Sequence, residues 1–383
     1  MHMNKKLTKI IGLAVLLTII GLAGISAESV SDGKQLIKVT DLAGREVTLK
    51  KPAGRVILSL AQDIIDYAAI YGPGFMKTLV GLGLDLKQTN ADMYNKYQEK
   101  FPEIDKIPDV GIAYAGSFNT EKALSLKPDL IIFSISEKSG LKAEDLFIFE
   151  KAGIAVVFTD FMTETLENSV KSAILEGKVL GKEERAQKIV DFYTAEMNKV
   201  YPRLEALSVK KAKVYVEYGS AGPSAYGKTS ARTFMWGAMV NKAGGYNLAN
   251  DLTGGGYILI NPEYLFAQDP AVIIFTGIWG LAGRPEALSM GYHADFKSSL
   301  AQLMQFIKRP GWEKLSAVKN KQVYAICHAM ARNLADFAAL QYFAKLFYPE
   351  EFKDLDPEKG LREYHQKFLP VEYSGVWFLS VKD

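Results

Sequence analysis

One segment of the chain matches a nucleotide-binding pattern. Residues 222–229 read Gly-Pro-Ser-Ala-Tyr-Gly-Lys-Thr, which satisfies G-x-x-x-x-G-K-[ST], the phosphate-binding loop of many nucleotide-binding proteins. Such a site also needs an apolar strand that ends in Asp to hold magnesium, and the sequence after the segment offers none. We therefore expect no nucleotide here. The glycine-rich turn, with Lys228 and Arg232 nearby, is still suited to a polar or anionic ligand.

Clusters of catalytic or metal-binding residues are scarce. The sequence contains no G-x-S-x-G, H-E-x-x-H or C-x-x-C pattern. Beyond residue 27 its histidines are His293, His328 and His365, without the short spacing typical of a metal site. The single cysteine, Cys327, lies in an apolar run and has no partner for an internal disulfide. These features predict a binding protein rather than an enzyme, with no intrinsic cofactor and no directly bound metal.

Aromatic and cationic side chains are frequent in the loops that follow the predicted strands. In α/β sheets, ligands bind outside the carboxyl ends of the strands. Tyrosine and tryptophan offer flat contact area with a polar tip, and arginine and lysine complement carboxylate, catecholate or propionate groups. The predicted ligand contacts in these loops and in the long connections are Gln62, Tyr114, Ser117, Tyr226, Lys228, Arg232, Tyr257, Trp279, Arg284, Tyr292, His293, His328 and Arg332.

Two segments separated by 142 residues share one outline. Residues 119–133 read NTEKALSLKPDLIIF and residues 261–275 read NPEYLFAQDPAVIIF. Each has an Asn, a Glu two residues later, a Pro that stops a short helix, and an apolar run that predicts a buried strand. A repeat of this size predicts two lobes of similar build. Each lobe then presents one glutamate, Glu121 or Glu263, at an equivalent place.

Apolar strand-like runs alternate with helical segments along the chain, which predicts parallel sheets flanked by helices. Residues 163–207 lack strand signals and carry apolar residues at helical spacing, which predicts one long, rigid connecting helix. A ligand cleft is expected between the lobes. The predicted organisation is a signal peptide over 1–27, an N-terminal α/β lobe over 28–162, the connecting helix over 163–207, and a C-terminal α/β lobe with a helical tail over 208–383.

The N-terminal residues predict export. Three lysines precede an apolar stretch over residues 10–25, and Ser26-Ala27 ends it with small residues, as in a secretory signal peptide. A retained anchor is the alternative, although the run is shorter than the ~20 residues that a membrane span needs. Of 383 residues, 46 are basic and 43 acidic, and the first 27 hold three of the lysines. The remainder is nearly neutral, so nucleic acid is not an expected partner.

Several segments resemble the periplasmic substrate-binding proteins of ABC importers for iron–siderophore complexes, haem and cobalamin. The resemblance extends in order over residues 36–349. It implies two α/β lobes joined by one long helix, with the ligand held between them in a monomeric protein of the periplasm or the outer face of the cytoplasmic membrane. Its carrying segments are DLAGREVTLKKPAGRVILSL, VGIAYAGSFNTEKALSLKPDLIIFS, LGKEERAQKIVDFY, ARTFMWGAMVNKAGGYNLA, INPEYLFAQDPAVIIFTG and PGWEKLSAVKNKQVYAI.

The resemblance also implies a role for the repeated glutamates. In this family one glutamate per lobe docks onto a dimeric permease that works with an ATPase, and Glu121 and Glu263 fall where those residues sit. The supply of aromatic and basic residues favours a ferric siderophore as ligand. Haem, for which Tyr292 or His293 could be an axial ligand, and cobalamin are the alternatives. An exported enzyme or sensor on the same frame is a further alternative.

Overall fold

The computed structural model describes residues 36–162, 166–208, 210–225, 227–281 and 284–383. The predicted signal peptide and Tyr226 lie outside the described residues. The strands of the N-terminal lobe are β1 Ile37–Thr40, β2 Glu46–Leu49, β3 Val56–Leu58, β4 Leu79–Leu82, β5 Leu130–Ser134 and β6 Ala155–Thr159. Its helices are α1 Ile64–Tyr71, α2 Asp85–Thr89, α3 Ala91–Lys100, α4 Thr120–Ser125 and α5 Ala143–Lys151.

Three helices connect this lobe to the next: α6 Leu166–Leu180, α7 Glu183–Met197 and α8 Tyr201–Ala206. The strands of the C-terminal lobe are β7 Lys213–Tyr218, β8 Lys228–Ser230, β9 Tyr246–Asn247, β10 Tyr257–Leu259, β11 Val272–Gly277, β12 Val323–Cys327 and β13 Phe378–Ser380. Its helices are α9 Met235–Lys242, α10 Pro262–Gln268, α11 Phe296–Phe306, α12 Ser316–Lys319, α13 Asp336–Phe347 and α14 Pro357–Phe368.

Each lobe is built on a mostly parallel sheet. The N-terminal sheet has the order β4-β3-β5-β6 with every pairing parallel, and the C-terminal sheet has the order β13-β12-β11-β7-β9 with only β13 antiparallel. Strands β5 and β11 are buried at every position because helices cover both faces of their sheets. This explains their continuous apolar sequence, and it confirms the prediction of two similar α/β lobes.

The connection between the lobes differs from the predicted single helix over 163–207. The chain turns at Gly181, which has a positive φ of 65°, and α7 then packs back along α6. The two helices approach so closely that a Cβ atom at Gly177 would collide with Ala186. This corrects the prediction: helical spacing continues through residues 163–207, but the Gly181-Lys182 turn divides the segment, and a third helix begins at Tyr201. Helix α7 contacts both α1 and α13 and so joins the lobes.

The C-terminal tail packs on the lobes through buried aromatic residues. Tyr364 on α14 is buried, and Trp377 donates its indole N–H to Ser374 O. Strand β13 extends the C-terminal sheet by pairing with β12. Arg185 of α7 donates to Phe368 O at 2.9 Å and so ties the connecting helices to the tail. Within the described part of the chain, no helix combines the length and the apolar character that crossing a membrane requires.

Carboxylates of the N-terminal lobe bind main-chain N–H groups of the C-terminal lobe. Asp92 accepts from Tyr292 N at 2.7 Å and from His293 N at 3.0 Å, and Asp66 Oδ1 accepts from Leu334 N at 3.0 Å. The His293 ring adds two further contacts, Nδ1 to Asp92 at 2.7 Å and Nε2 to Glu99 at 2.9 Å. Hydrogen bonding to Asp92, the largest influence, raises the pKa of His293 above its ordinary value.

We expect His293 to give the protein a pH-dependent stability. A histidine whose pKa is raised by folding stabilises the protein fully below its unfolded pKa of about 6.5, and this contribution is lost as pH rises through the raised value. Urea unfolding of wild type and His293→Gln between pH 5.5 and 8.5 should therefore give free energies that differ most at the acid end. His365 is the matched control, because burial lowers its pKa to about 4. His365→Gln should therefore change the free energy of unfolding by the same amount at every pH above 6.5. Parallel curves for wild type and His293→Gln would contradict this assignment.

Candidate ligand cleft

A cavity of about 450 Å³ lies between the two lobes and is lined by residues of both. It sits where strands end: Gln62 follows β3, Tyr218 ends β7, and His328 follows β12. This is the place where doubly wound sheets bind ligands, because the loops after parallel strands meet there. The volume falls in the range of small-molecule sites.

The C-terminal wall of the cavity holds a lysine over two tyrosine rings. Lys228 Nζ lies 4.2 Å from the ring centroid of Tyr257 and 5.0 Å from that of Tyr218, and the two rings stack 5.7 Å apart. Burial, and after it the charge of Arg284, lower the pKa of Lys228. No carboxylate pairs with this lysine among the described residues. Its charge is therefore held by aromatic faces and remains available to an anion.

Burial also acts on Tyr257, and it raises the pKa of that hydroxyl to about 12. The ring is partly exposed, but its hydroxyl lies deeper and donates to Met235 Sδ at 3.5 Å. Phe234 packs edge-on against the same ring at 5.3 Å, and the guanidinium of Arg332 lies 4.9 Å from the Phe234 ring. The wall is thus a continuous aromatic surface with two cations on it.

His328 is held in one neutral form at the base of this wall. Its Nδ1 lies 3.0 Å from Trp236 Nε1 and 3.0 Å from Thr276 Oγ1. Because the indole N–H can only donate, Nδ1 is the acceptor and the ring proton is on Nε2. Burial lowers the pKa of His328 to about 3, and the charges of Arg332 and Lys228 act in the same direction. At neutral pH the ring is therefore an uncharged donor.

Two residues that line the cavity have strained backbones. Met235 has a φ of 41° and Arg332 a φ of 71°, which lie in the left-handed region that residues with a Cβ rarely adopt. The segment after Arg332 is fixed from several sides: Asn333 donates to Ala329 O at 2.7 Å and accepts from Ala335 N at 2.9 Å. Strain of this kind persists only where the surroundings hold it, and it is concentrated at functional sites.

The N-terminal wall is built on carboxyl groups. Asp85 accepts from Ala61 N at 2.9 Å and from Gln62 N at 3.1 Å, and so shapes the turn that follows β3. Glu137 is fully buried and accepts from Ser59 Oγ at 2.8 Å, and burial raises its pKa to about 7. Asp63 borders the cavity itself. Tyr114 completes this wall with 47% of its surface exposed.

A buried ion pair supports the loop that carries Lys228. Arg309 binds Glu217 through two hydrogen bonds of 2.7 and 2.8 Å, and it also donates to Pro223 O and Ala225 O at 2.8 and 3.1 Å. Two carbonyl groups of the glycine-rich segment, at Pro223 and Ala225, are therefore held by a buried arginine. The segment leads into β8, which pairs with β10. Because the segment leads into a strand and not directly into a helix, it matches the phosphate-loop pattern in sequence but not in structure.

The structure brings together six of the predicted ligand contacts and separates six others. Ser117 closes its own loop by accepting from Ile112 N, and Tyr292 is buried with its hydroxyl 2.9 Å from His365. The Trp279 ring is tilted against the ring of His293 at 4.8 Å, next to the contact between the lobes. Arg284 approaches Ser220 at 3.4 Å, and Arg232 is exposed. Those that line the cavity are Gln62, Tyr114, Lys228, Tyr257, His328 and Arg332; those that do not are Ser117, Arg232, Trp279, Arg284, Tyr292 and His293.

Some lining residues are absent from the sequence-based prediction. Tyr218 is the last residue of β7, so its place at the carboxyl end of a predicted strand was a usable signal. Asp63 directly follows the predicted contact Gln62. Phe234 and Met235 line the cavity beside the positive φ of Met235, which no sequence signal predicts.

The repeated glutamates occupy equivalent positions in the two lobes. Asn119 caps α4 by accepting from Lys122 N at 2.9 Å, and Asn261 caps α10 by accepting from Tyr264 N at 2.7 Å. Glu121 and Glu263 lie in the first turns of these helices, and both are exposed. Each helix is followed by a central strand of its sheet.

Two α/β lobes with a ligand-sized cavity between them define a substrate-binding protein of the two-lobe class. A family model described as "Periplasmic binding protein" matches residues 69–328, and the chain belongs to this family. Members of this class work with an ABC permease and its ATPase.

Three proteins illustrate the relationship. The TroA-like periplasmic binding protein FepB from Veillonella parvula, for which a crystal structure is known, is 38% identical in sequence to this chain. The match covers 90% of this chain and 99% of FepB, with a TM-score of 0.86. The ABC transporter substrate-binding lipoprotein YvrC of Bacillus subtilis is 23% identical over 83% of this chain and 87% of its own. The molybdate-binding protein MolA of Haemophilus influenzae is 24% identical over 88% of this chain and 91% of its own.

We expect Arg309→Ala to lower the free energy of unfolding by about 3–5 kcal/mol, because it leaves the buried carboxylate of Glu217 without its partner. Arg203 is the matched control: it also makes two hydrogen bonds to a carboxylate, Asp354, but that pair is exposed. Arg203→Ala should cost no more than about 1 kcal/mol. Urea unfolding of the two variants measures both values, and equal losses would show that burial of the Arg309 pair is unimportant.

Proposed function

We propose that this protein is exported, captures an anionic iron complex, a ferric siderophore, in the cavity between its lobes, and delivers it to an ABC permease. The observation that carries the proposal is Lys228 over the rings of Tyr218 and Tyr257, with Arg332 on the same wall. Cations held on aromatic faces complement the negative oxygens of a catecholate or carboxylate chelate, and the rings contact its flat ligand groups. No bond is made or broken in this function.

The other ligand classes fit the cavity less well. Haem needs an axial ligand for its iron, and the two residues considered for this role, Tyr292 and His293, lie outside the cavity, so a haem would have to use another lining residue such as Tyr114 or Tyr257. A tetrahedral oxyanion such as the molybdate of MolA would occupy only a small part of about 450 Å³. Cobalamin makes less use of cations such as Lys228 and Arg332. A larger anionic chelate uses both the cations and the aromatic surface.

Ligand screening tests this proposal. Purified protein is mixed with ferric enterobactin, ferric citrate, hemin, cobalamin and molybdate, and binding is followed by native mass spectrometry and absorbance spectra. We expect a complex with a ferric siderophore, and Lys228→Gln should weaken it by about tenfold or more because a charged contact is lost. Lys213→Gln is the control, since Lys213 is exposed at the opposite end of β7. If the protein binds only hemin, only cobalamin or only molybdate, that compound would replace the ferric siderophore as the assigned ligand.

Delivery is proposed to use Glu121 and Glu263. Both carboxylates are exposed, occupy equivalent first turns, and have no ion pair among the described residues. They could therefore meet basic residues on the two halves of a dimeric permease. An exposed ion pair contributes only about 0–1 kcal/mol, but two pairs at a fixed separation gain avidity that neither has alone.

We expect the double substitution Glu121→Ala with Glu263→Ala to abolish uptake of radiolabelled iron while ligand affinity stays unchanged, because neither residue borders the cavity. Glu150→Ala with Glu313→Ala removes one exposed glutamate from each lobe at unrelated sites and should leave uptake intact. Cells that carry each pair in place of the wild-type protein provide the measurement. Normal uptake with the first pair would rule out this docking surface.

A further inference from the structure

The cavity is bordered by a carboxyl group, that of Asp63, which has no partner among the described residues. Asp63 is 4% exposed and borders the cavity, and its carboxyl group has no hydrogen bond or ion pair among the described residues. Among the described residues, three carboxyl oxygens without partners are completely covered, namely Asp66 Oδ2 and both oxygens of Glu176. Those of Asp63 are not. Since the residue borders the cavity, the cavity is where they are exposed.

The charged groups that act most strongly on Asp63 are all acidic. Asp66 lies one turn along α1, and the other three groups come from three further elements. Burial, and after it these four carboxyl groups, raise the pKa of Asp63 well above its ordinary value. Such surroundings favour the protonated form of a carboxyl group. The four groups are Asp66 on α1, Glu176 on α6, Glu137 in the turn after β5, and Asp85 on α2.

The cations of the cavity lie on the opposite wall. The largest charge influences on Asp63 come from carboxyl groups, and the one on Lys228 comes from Arg284. The two walls therefore face each other across the cavity with different chemistry. The titratable and charged groups on the facing side are Lys228 on β8, His328 after β12, Arg332, Tyr218, Tyr257 and, from the N-terminal lobe, Tyr114.

We propose that Asp63 contacts the captured complex as a neutral carboxylic acid and donates a hydrogen bond to one of its oxygen atoms. This inference rests on the proposed ligand function of the cavity and specifies the ligand further. The ligand presents negative charge to Lys228 and Arg332 at one end and an acceptor oxygen, such as an amide carbonyl or hydroxyl, at the other. A ligand with a cationic group at the Asp63 end is the competing case.

The two cases predict different behaviour with pH and with substitution. A donated hydrogen bond is present while Asp63 is protonated, so affinity is full on the acid side and falls as pH rises through the raised pKa of the free protein. Asp63→Asn keeps a donor and removes the ionisation, so it should recover most of the affinity that Asp63→Ala loses. A cationic ligand group would instead need the carboxylate, and both substitutions would weaken binding alike.

The first experiment uses the protein without ligand. The ¹³C shift of the Asp63 carboxyl carbon, assigned by comparison with Asp63→Asn, is followed from pH 4 to 9. We expect Asp63 to remain protonated at pH 6. Ionisation by pH 6 would overturn the proposal, whatever ligand the protein binds.

The second experiment measures affinity for ferric enterobactin by quenching of intrinsic fluorescence at pH 6.5 and 9. Asp63→Ala should bind about tenfold more weakly than wild type at pH 6.5, the effect of one buried hydrogen bond. At pH 6.5, the affinity of Asp63→Asn should be within a few-fold of that of wild type. Unlike the wild-type affinity, it should not fall at pH 9. Asp191→Asn, at an exposed carboxylate on α7, is the matched control.

The outcomes separate this inference from the proposed function. Equal affinities of wild type and Asp63→Ala, or equal losses in Asp63→Ala and Asp63→Asn, would overturn the role of Asp63 and leave the ligand function intact. Absence of ferric enterobactin binding by wild type would count against the proposed ligand. In that case the carboxyl titration, with the same substitutions tested against whichever of hemin, cobalamin or molybdate binds, decides the role of Asp63.

Discussion

The geometry of the molecule depends on carboxylates of one lobe that hold main-chain N–H groups of the other. Asp66 fixes Leu334, and Asp92 fixes Tyr292 and His293. A main-chain group cannot turn away as a side chain can, so these bonds set the distance between the lobes and the width of the cavity. Leu334 is two residues from Arg332, so the bond between Asp66 and Leu334 also fixes the position of a cation that lines the cavity.

The cavity that results has two unlike walls. On one side, cations rest on tyrosine and phenylalanine rings, and on the other, carboxyl groups are buried behind the surface. The buried bonds between the lobes hold the two walls apart and so maintain the electrostatic asymmetry of the cavity.

Much of the fold is predictable from sequence because burial dictates composition. The strands at 130–134, 155–159 and 272–277 contain no charged residue and are mostly apolar, and the repeat around Glu121 and Glu263 indicates the duplicated architecture. The turn at Gly181 is not predictable from periodicity, since helical spacing continues on both sides of it. Which of the residues in strand-end loops face the cavity also depends on tertiary contacts: Tyr292 has the same chemistry as Tyr257, but it is buried against His365.

The positive φ angles of Met235 and Arg332 set a limit on how stable this protein can become. Each strained residue costs of order 1–3 kcal/mol, and glycine at either position would recover part of that energy. The same substitution by glycine would make the backbone more flexible where it carries the aromatic and cationic side chains of the wall. Selection for thermal resistance and selection for tight capture therefore act in opposite directions at these two positions, and engineered stabilisation is better directed at the connecting helices than at the cleft.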